Sequence, residues 1–174
     1  MNFEHIYDQH KDLVYNLALQ YVQNIEDAEE ITQDVFVSVY EKMNEFRQEA
    51  KPSTWIYRIT INRCLDYIKA KKRKKRFAFI SSLFGLSNQL LYDSADFNHP
   101  GILMEEQDKM KLLFKLINEL SHNQKTAIIL LKIEEKSQAE AAEIMNISVK
   151  ALESLFQRAK NNLSKKMKDN EGFG

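Results

Sequence analysis

Helix breakers are scarce, and that constrains this chain more than any other feature. Only two prolines and four glycines occur in 174 residues. Proline and glycine are the residues most costly inside a helix, whereas the leucine, isoleucine, lysine, glutamate and alanine that dominate here suit one. An all-α fold is therefore expected, in one or two small bundles. Apolar residues recur at helical spacing. Ile6, Val14, Leu17, Ala18 and Tyr21 predict a first helix from Phe3 to about Tyr21. Asp27 is the expected N-cap of a second, with Glu30 as its capping-box partner, and Ile31, Val35, Val39 and Met43 carry its stripe to about Phe46. After a loop at 47–52, Ser53 or Thr54 is expected to cap a third helix bearing Trp55, Ile56, Ile59, Leu65 and Ile68 and running into a basic cluster.

Residues 77–105 read as a linker, with Gly85, Asn88, Asp93, Ser94 and Pro100. Its apolar start, FAFISSLFGL, is apolar enough to dock, either as a short helix that covers the first bundle's core or on a partner. Helicity resumes at about Glu106, with Met110, Leu113, Phe114 and Ile117 on one stripe. Ser121, Ser137 and Ser148 are each placed to cap a following helix. Asn146 stands where the chain turns, and asparagine tolerates the left-handed conformation better than most residues. These elements divide the chain into a bundle at 1–76, the linker, a second bundle at 106–168 and a short tail at 169–174.

Net charge is zero, so the chain is not a simple polycation, but the charges are segregated. Residues 1–68 hold six Lys/Arg against twelve Asp/Glu, and residues 69–76 then hold seven positive charges. The segment 77–105 has no Lys or Arg, and 148–168 holds six against Glu153 alone. Such blocks imply separate surfaces for separate partners. The single cysteine, Cys64, forms no disulfide within the chain, and His5, His10, His99 and His122 are too scattered for a zinc site. No nucleotide loop or nucleophile–base pair is visible. No cofactor, metal or catalytic residue is expected, therefore. The polar N-terminus and the absence of a long apolar run predict a cytoplasmic chain without membrane insertion.

A short helix, a turn at Asn146 and a second helix make a helix-turn-helix pattern over Ser137–Lys165. Ala142 permits close approach of the two helices, and Leu152 and Leu155 fill the space behind. The outward face of the last helix would carry Lys150, Glu153, Ser154, Gln157, Arg158 and Asn161, residue types that reach base edges and phosphates. A solvated amphipathic helix is the bland alternative. The run Lys69–Arg76 could neutralise phosphates or simply complement a helix C-terminus, although seven charges exceed what capping needs.

Three segments, DAEEITQDVF (27–36), FRQEAKPSTWIYRITINRCLDYIKAKKR (46–73) and the terminal helix-turn-helix, in this order, resemble the extracytoplasmic-function sigma factors of the sigma-70 family. The resemblance implies two all-α domains, sigma domain 2 at 1–76 and sigma domain 4 at 106–168. It also implies a non-enzymatic role in promoter recognition. Core RNA polymerase would dock on Asp27, Glu30, Gln33, Asp34 and Phe36, with Ala28 and Glu29 in the same motif. The −10 element would meet Phe46, Arg47, Thr54, Trp55, Asn62, Arg63, Asp66, Lys69, Lys72 and Arg73. The −35 element would meet Ser148, Lys150, Glu153, Ser154, Gln157 and Arg158. The chain departs from the family pattern in two places. Ala50 stands where relatives often have serine, and Glu153 and Leu155 stand where many carry basic residues. The expected partners are polymerase, promoter DNA and an anti-sigma protein, with a monomer when free of them. A dimeric helix-turn-helix regulator is the competing reading; it needs a dimer seam, and the sequence shows none.

Overall fold

The computed structural model describes residues 2–46, 51–83 and 104–171. Every regular element among them is helical: α1 (Phe3–Val22), α2 (Ile25–Lys42), α3 (Pro52–Leu83), α4 (Met104–Asn118), α5 (His122–Ile128), α6 (Gln138–Met145) and α7 (Val149–Glu171). A π-helical turn, Ile129–Ile133, extends α5. The described residues form two compact units. One comprises 2–43 with 59–83, and the other 44–46 and 51–58 with 104–171.

In the first unit α1 and α2 pack as a helical hairpin through Ile6, Val14, Leu17 and Tyr21 of α1 and Ala28, Ile31, Val35 and Val39 of α2, all buried. Burying a side chain of this size contributes roughly 1.5–3 kcal/mol. The corner between them is one step long. Gln23 ends α1 in the left-handed region (φ 53°) and Asn24 begins α2, its side chain accepting from the Asp27 N–H at 2.8 Å. Asn24, not Asp27, is thus the N-cap. The asparagine side chain reaches the third backbone amide beyond it, which places Asp27 inside the first turn. Helix α2 also stops at Lys42, before a turn at 43–45, rather than at Phe46.

Helix α3 begins at Pro52 itself, with no Ser53 or Thr54 cap. Proline suits the first helical position, where its missing N–H is not needed, and the Trp55 N–H bonds the Lys51 carbonyl at 3.2 Å. The helix continues through the basic cluster to Leu83. The segment whose composition reads as the start of a linker is therefore helical at least that far, since no breaker precedes Gly85. Phe77 is largely exposed there. The rest of the expected linker, residues 84–103, and residues 47–50 of the expected loop lie outside the described residues.

In the second unit Phe114, Ile117, Leu120, Ile128 and Ala159 form a core, with Met110, Leu113, Ile133, Phe156 and Leu163 packed against it. The sequence-derived stripe of α4 and the inward face of α7 both lie here. Ser121 caps α5, as its position predicts, by accepting from the Gln124 N–H at 3.4 Å.

Candidate nucleic-acid interface and acidic docking face

Helices α6 and α7 are joined by a sharply defined turn. The Ser137 hydroxyl accepts from the Glu140 N–H at 3.2 Å, and the Glu140 carboxylate accepts from the Ser137 N–H at 3.0 Å, a complete capping box. These Ser137 bonds hold the Glu140 carboxyl below its ordinary pKa. Asn146 ends α6 in the left-handed region (φ 55°, ψ 46°). The amides of Asn146 and Ile147 bond back to Glu143 and Ala142 at 3.1 and 3.0 Å, satisfying carbonyls that the helix leaves open. Ser148 then caps α7 by accepting from the Ala151 N–H at 3.2 Å. Ala142 and Leu152 are buried at the crossing. The result is a helix-turn-helix.

Ser148 at the cap, and Lys150, Glu153, Ser154, Gln157, Arg158 and Asn161 on α7, are all exposed. Two of them are steadied along the helix: Gln157 donates to Asn161 at 3.1 Å, and the Arg158 Nε donates to the Ser154 carbonyl at 3.3 Å. Arg158 keeps the rest of its guanidinium fork for a phosphate or a guanine edge. With Arg158→Ala, binding to a duplex that carries the cognate −35 sequence is expected to weaken by about tenfold or more, the 1–3 kcal/mol typical of a base contact. A filter or fluorescence titration against specific and random duplexes checks this. Equal loss on both would make the residue a phosphate contact.

On α2, Glu29, Glu30, Gln33 and Asp34 are exposed, whereas Ala28 and Phe36 are buried. Val37 and Tyr40 share this face and are 57% and 64% exposed, so the surface is acidic and apolar together. Phe3 packs on Tyr40 at 5.4 Å, and Tyr7 on Phe36 at 4.7 Å. The family motif ends at Phe36 and so leaves out Val37 and Tyr40, although Val37 stands i+4 from Gln33 and i+3 from Asp34, and Tyr40 i+3 from Val37, which is the signal that places them. Asp27 is engaged within the fold. It accepts from the Tyr67 hydroxyl at 2.7 Å and from the Lys71 ammonium at 2.5 Å, tying α2 to α3.

The residues matched to the −10 element are divided. In the second unit the Phe46 and Trp55 rings pack with centroids 4.8 Å apart and planes tilted by 34°, and Thr54 is buried. Arg47 lies outside the described residues. In the first unit Asn62, Asp66, Lys69, Lys72 and Arg73 lie on α3, with Asn62, Lys72 and Arg73 exposed along its length. Lys69 makes a surface ion pair with Asp66 at 3.6 Å. Arg63 instead turns toward α2 and donates two bonds to the buried Ser38 hydroxyl, at 3.0 and 2.6 Å. Because α3 stays helical, the basic run winds around its axis rather than forming one stripe.

Burial, with the Asp27 hydrogen bond next, pushes the Tyr67 phenol well above the ordinary tyrosine pKa of 10.0. Above pH 10 the unfolded chain releases this proton while the native state holds it. The contribution is complete below that pH and is lost as pH rises toward the native value. Tyr67→Phe is therefore expected to flatten the alkaline decline in Tm, measured by circular dichroism from pH 9 to pH 11. An unchanged slope would mean that the phenol titrates freely.

The model for Sigma-70 region 2 matches residues 6–74, and that for Sigma-70, region 4 matches residues 110–163. The ECF RNA polymerase sigma factor SigW of Bacillus subtilis is 30% identical over 169 residues, covering 96% of this chain and 89% of that protein. The ECF RNA polymerase sigma-E factor of Escherichia coli K12 is 26% identical over 159 residues, covering 91% and 82%. Two solved structures share the fold. One is RpoE of Bartonella quintana in complex with the anti-sigma factor NepR (TM-score 0.66, 21% identity, 95% of this chain and 96% of that one). The other is CnrH in complex with the cytosolic domain of CnrY (TM-score 0.65, 20% identity, 96% and 88%). With both sigma regions matched, and a relative 30% identical that covers 96% of this chain and 89% of its own length, the chain belongs to the extracytoplasmic-function sigma factors of the sigma-70 family, which direct RNA polymerase to promoters.

Proposed function

We propose that this chain is a non-catalytic initiation subunit, monomeric when free and acting in the cytoplasm, with its surfaces divided as follows. The outer face of α2, with Glu30, Gln33, Asp34, Val37 and Tyr40, binds core polymerase. An acidic and apolar helix face suits a basic helical partner, where charge sets register and on-rate and apolar side chains add buried area. Asp27 and Phe36 support that face from within.

The Phe46–Trp55 pair and the α3 side chains Asn62, Asp66, Lys69, Lys72 and Arg73 serve the −10 element. Stacking aromatics beside a cationic helix are what unpaired bases and their backbone require. Arg63 holds α3 to α2 through Ser38. In the second unit, Ser148 to Arg158 read the −35 element in the major groove. The geometry of α6 and α7, fixed by the Ser137–Glu140 box, Asn146 and Ser148, is the observation that carries this reading. An anti-sigma protein is a further proposed partner, since RpoE of Bartonella quintana, which shares the fold, is known in complex with one. Among the described residues no helix is long and apolar enough to cross a membrane.

Retention on purified core enzyme followed by run-off transcription tests the proposal. New start sites that depend on this chain support it. A free dimer that binds DNA, with no retention on core, would establish the regulator reading instead.

A further inference from the structure

Within the first unit, the far end of α3 carries a side-chain row that the −10 contacts do not use up. The basic run as a whole winds around the helix, but every third or fourth residue returns to one face. Asn62, Asp66, Lys69 and Arg73 stand on such a row, and Arg76 and Phe77 continue it. At about 100° of turn per residue, the six fall within a sector of roughly 100°. All six are exposed. Tyr67 and Lys71, which meet Asp27 of α2, project from the other side of α3. The row therefore faces away from α2.

Charge is unbalanced at this end of the helix. Asp66 is the last acidic residue before Asp93. Among the described residues, Lys72, Arg73, Lys74 and Arg76 make no ion pair and no hydrogen bond. Cations crowded on a rigid helix without counter-charge repel one another, and a polyanion relieves that repulsion. Phe77 stands among them, 73% exposed. A lone exposed apolar side chain ordinarily needs no explanation. Here the surroundings supply one: the ring lies one turn from Arg73 and next to Arg76, a stacking surface inside a phosphate-binding track. A lipid-binding helix carries a broad apolar face, whereas Phe77 is the only exposed large apolar side chain among the described residues of α3. Paired bases keep their faces inside the duplex, so a ring of this kind fits an unpaired strand.

We propose that Phe77, flanked by Arg73 and Arg76, is a base-stacking platform for single-stranded DNA that lengthens the track of α3 beyond the −10 contacts. The proposal rests on the −10 reading only for which strand arrives there; the platform is a property of the helix. Phe77 lies 15 positions after Asn62, about 22 Å of helix rise. At ~3.4 Å per phosphate of a duplex strand, that is about six or seven nucleotides, and fewer in a stretched strand. Phe77 therefore meets a base several nucleotides from the one at Asn62. Stacking is tolerant of sequence, because every base has a π-face, so the platform holds an opened strand without reading it.

Titration of the full chain against a labelled oligothymidylate of about 20 nucleotides, followed by anisotropy at low salt, tests the platform. Phe77→Ala is expected to weaken binding about fivefold or more, as loss of one stacked base requires, with the salt dependence unchanged. Arg76→Ala should instead lower the salt slope by about 0.7, the value of one phosphate on a single strand. Phe77→Trp should keep the affinity, and the emission it adds should be quenched by the strand. Should Phe77→Ala lose its native circular dichroism, the quenching in Phe77→Trp decides. Unchanged affinity in a folded Phe77→Ala, no quenching in Phe77→Trp, or no binding of the strand by the unaltered chain would each overturn the platform. Binding of phosphatidylserine vesicles that Phe77→Ala abolishes, with strand affinity intact, would make the site a membrane contact and overturn it too. Failure of the unaltered chain to open a promoter with core would instead defeat the −10 reading and leave the titration to judge the platform.

Discussion

Leu152→Ala is expected to abolish −35 recognition by unfolding the helix-turn-helix locally. Leu152 is fully buried where α6 crosses α7, beside Ala142. Truncating a buried leucine to alanine costs about 2–5 kcal/mol, the range reflecting how far the site collapses around the cavity. A helical unit of this size holds roughly 0.05–0.15 kcal/mol per residue, a few kcal/mol in all, so one substitution removes much of its margin. In Leu152→Ala, hydrogen exchange should show lost protection across α6 and α7, while α1 and α2 keep theirs because they belong to a separate compact unit. Binding to a −35 duplex should fall to the nonspecific level. Loss of protection throughout both units would show that they do not fold independently. Retention of full protection would show that Leu152 contributes little to the crossing.

The second large effect is expected from Asp34→Arg. Asp34 is exposed on the acidic face of α2, and its carbonyl accepts from the Ser38 hydroxyl at 2.8 Å, a backbone contact that the substitution leaves in place. The exposed carboxylate has no packing role to lose, so stability should change by less than about 0.5 kcal/mol. Reversing a charge at an interface places like charges together, which costs several kcal/mol where the partner is basic. Core binding should therefore weaken by roughly a hundredfold or more, with an unaltered Tm. Competition for core against another sigma factor reads this directly. Unchanged affinity would move the docking surface away from this face of α2.

Much of the molecule is legible in the sequence because its signals are local. Serine caps, a capping box and an asparagine at a left-handed turn depend on a few neighbouring residues, so the roles of Ser121, Ser137, Asn146 and Ser148 follow from residue order alone. The apolar stripes of α1, α2, α4 and α7 are legible for the same reason: periodicity records which face is buried. What escapes depends on partners distant in sequence. Asp27 and Asn24 compete for one role, and only the one-residue corner after Gln23 decides between them. Asp27 and Arg63 resemble surface charges in a one-dimensional reading, yet one meets Tyr67 and Lys71 and the other meets Ser38. A helix in the apolar tail at 77–83 is among the sequence's expectations, but its continuity with α3 is not, because a separate short helix gives the same local pattern; the lack of breakers is the better guide. The hydrogen bond between Tyr57 and Glu134, 77 residues apart, leaves no trace in any local window.

The left-handed residue between α6 and α7 has a further consequence. Asn146, Ile147 and Ser148 make the whole connection between α6 and α7, and Asn146 is its left-handed member, so the torsions of three residues set how the two helices cross. A substitution that shifts those torsions by a few degrees would swing the far end of the 23-residue α7 by ångströms, without altering any side chain on its outward face.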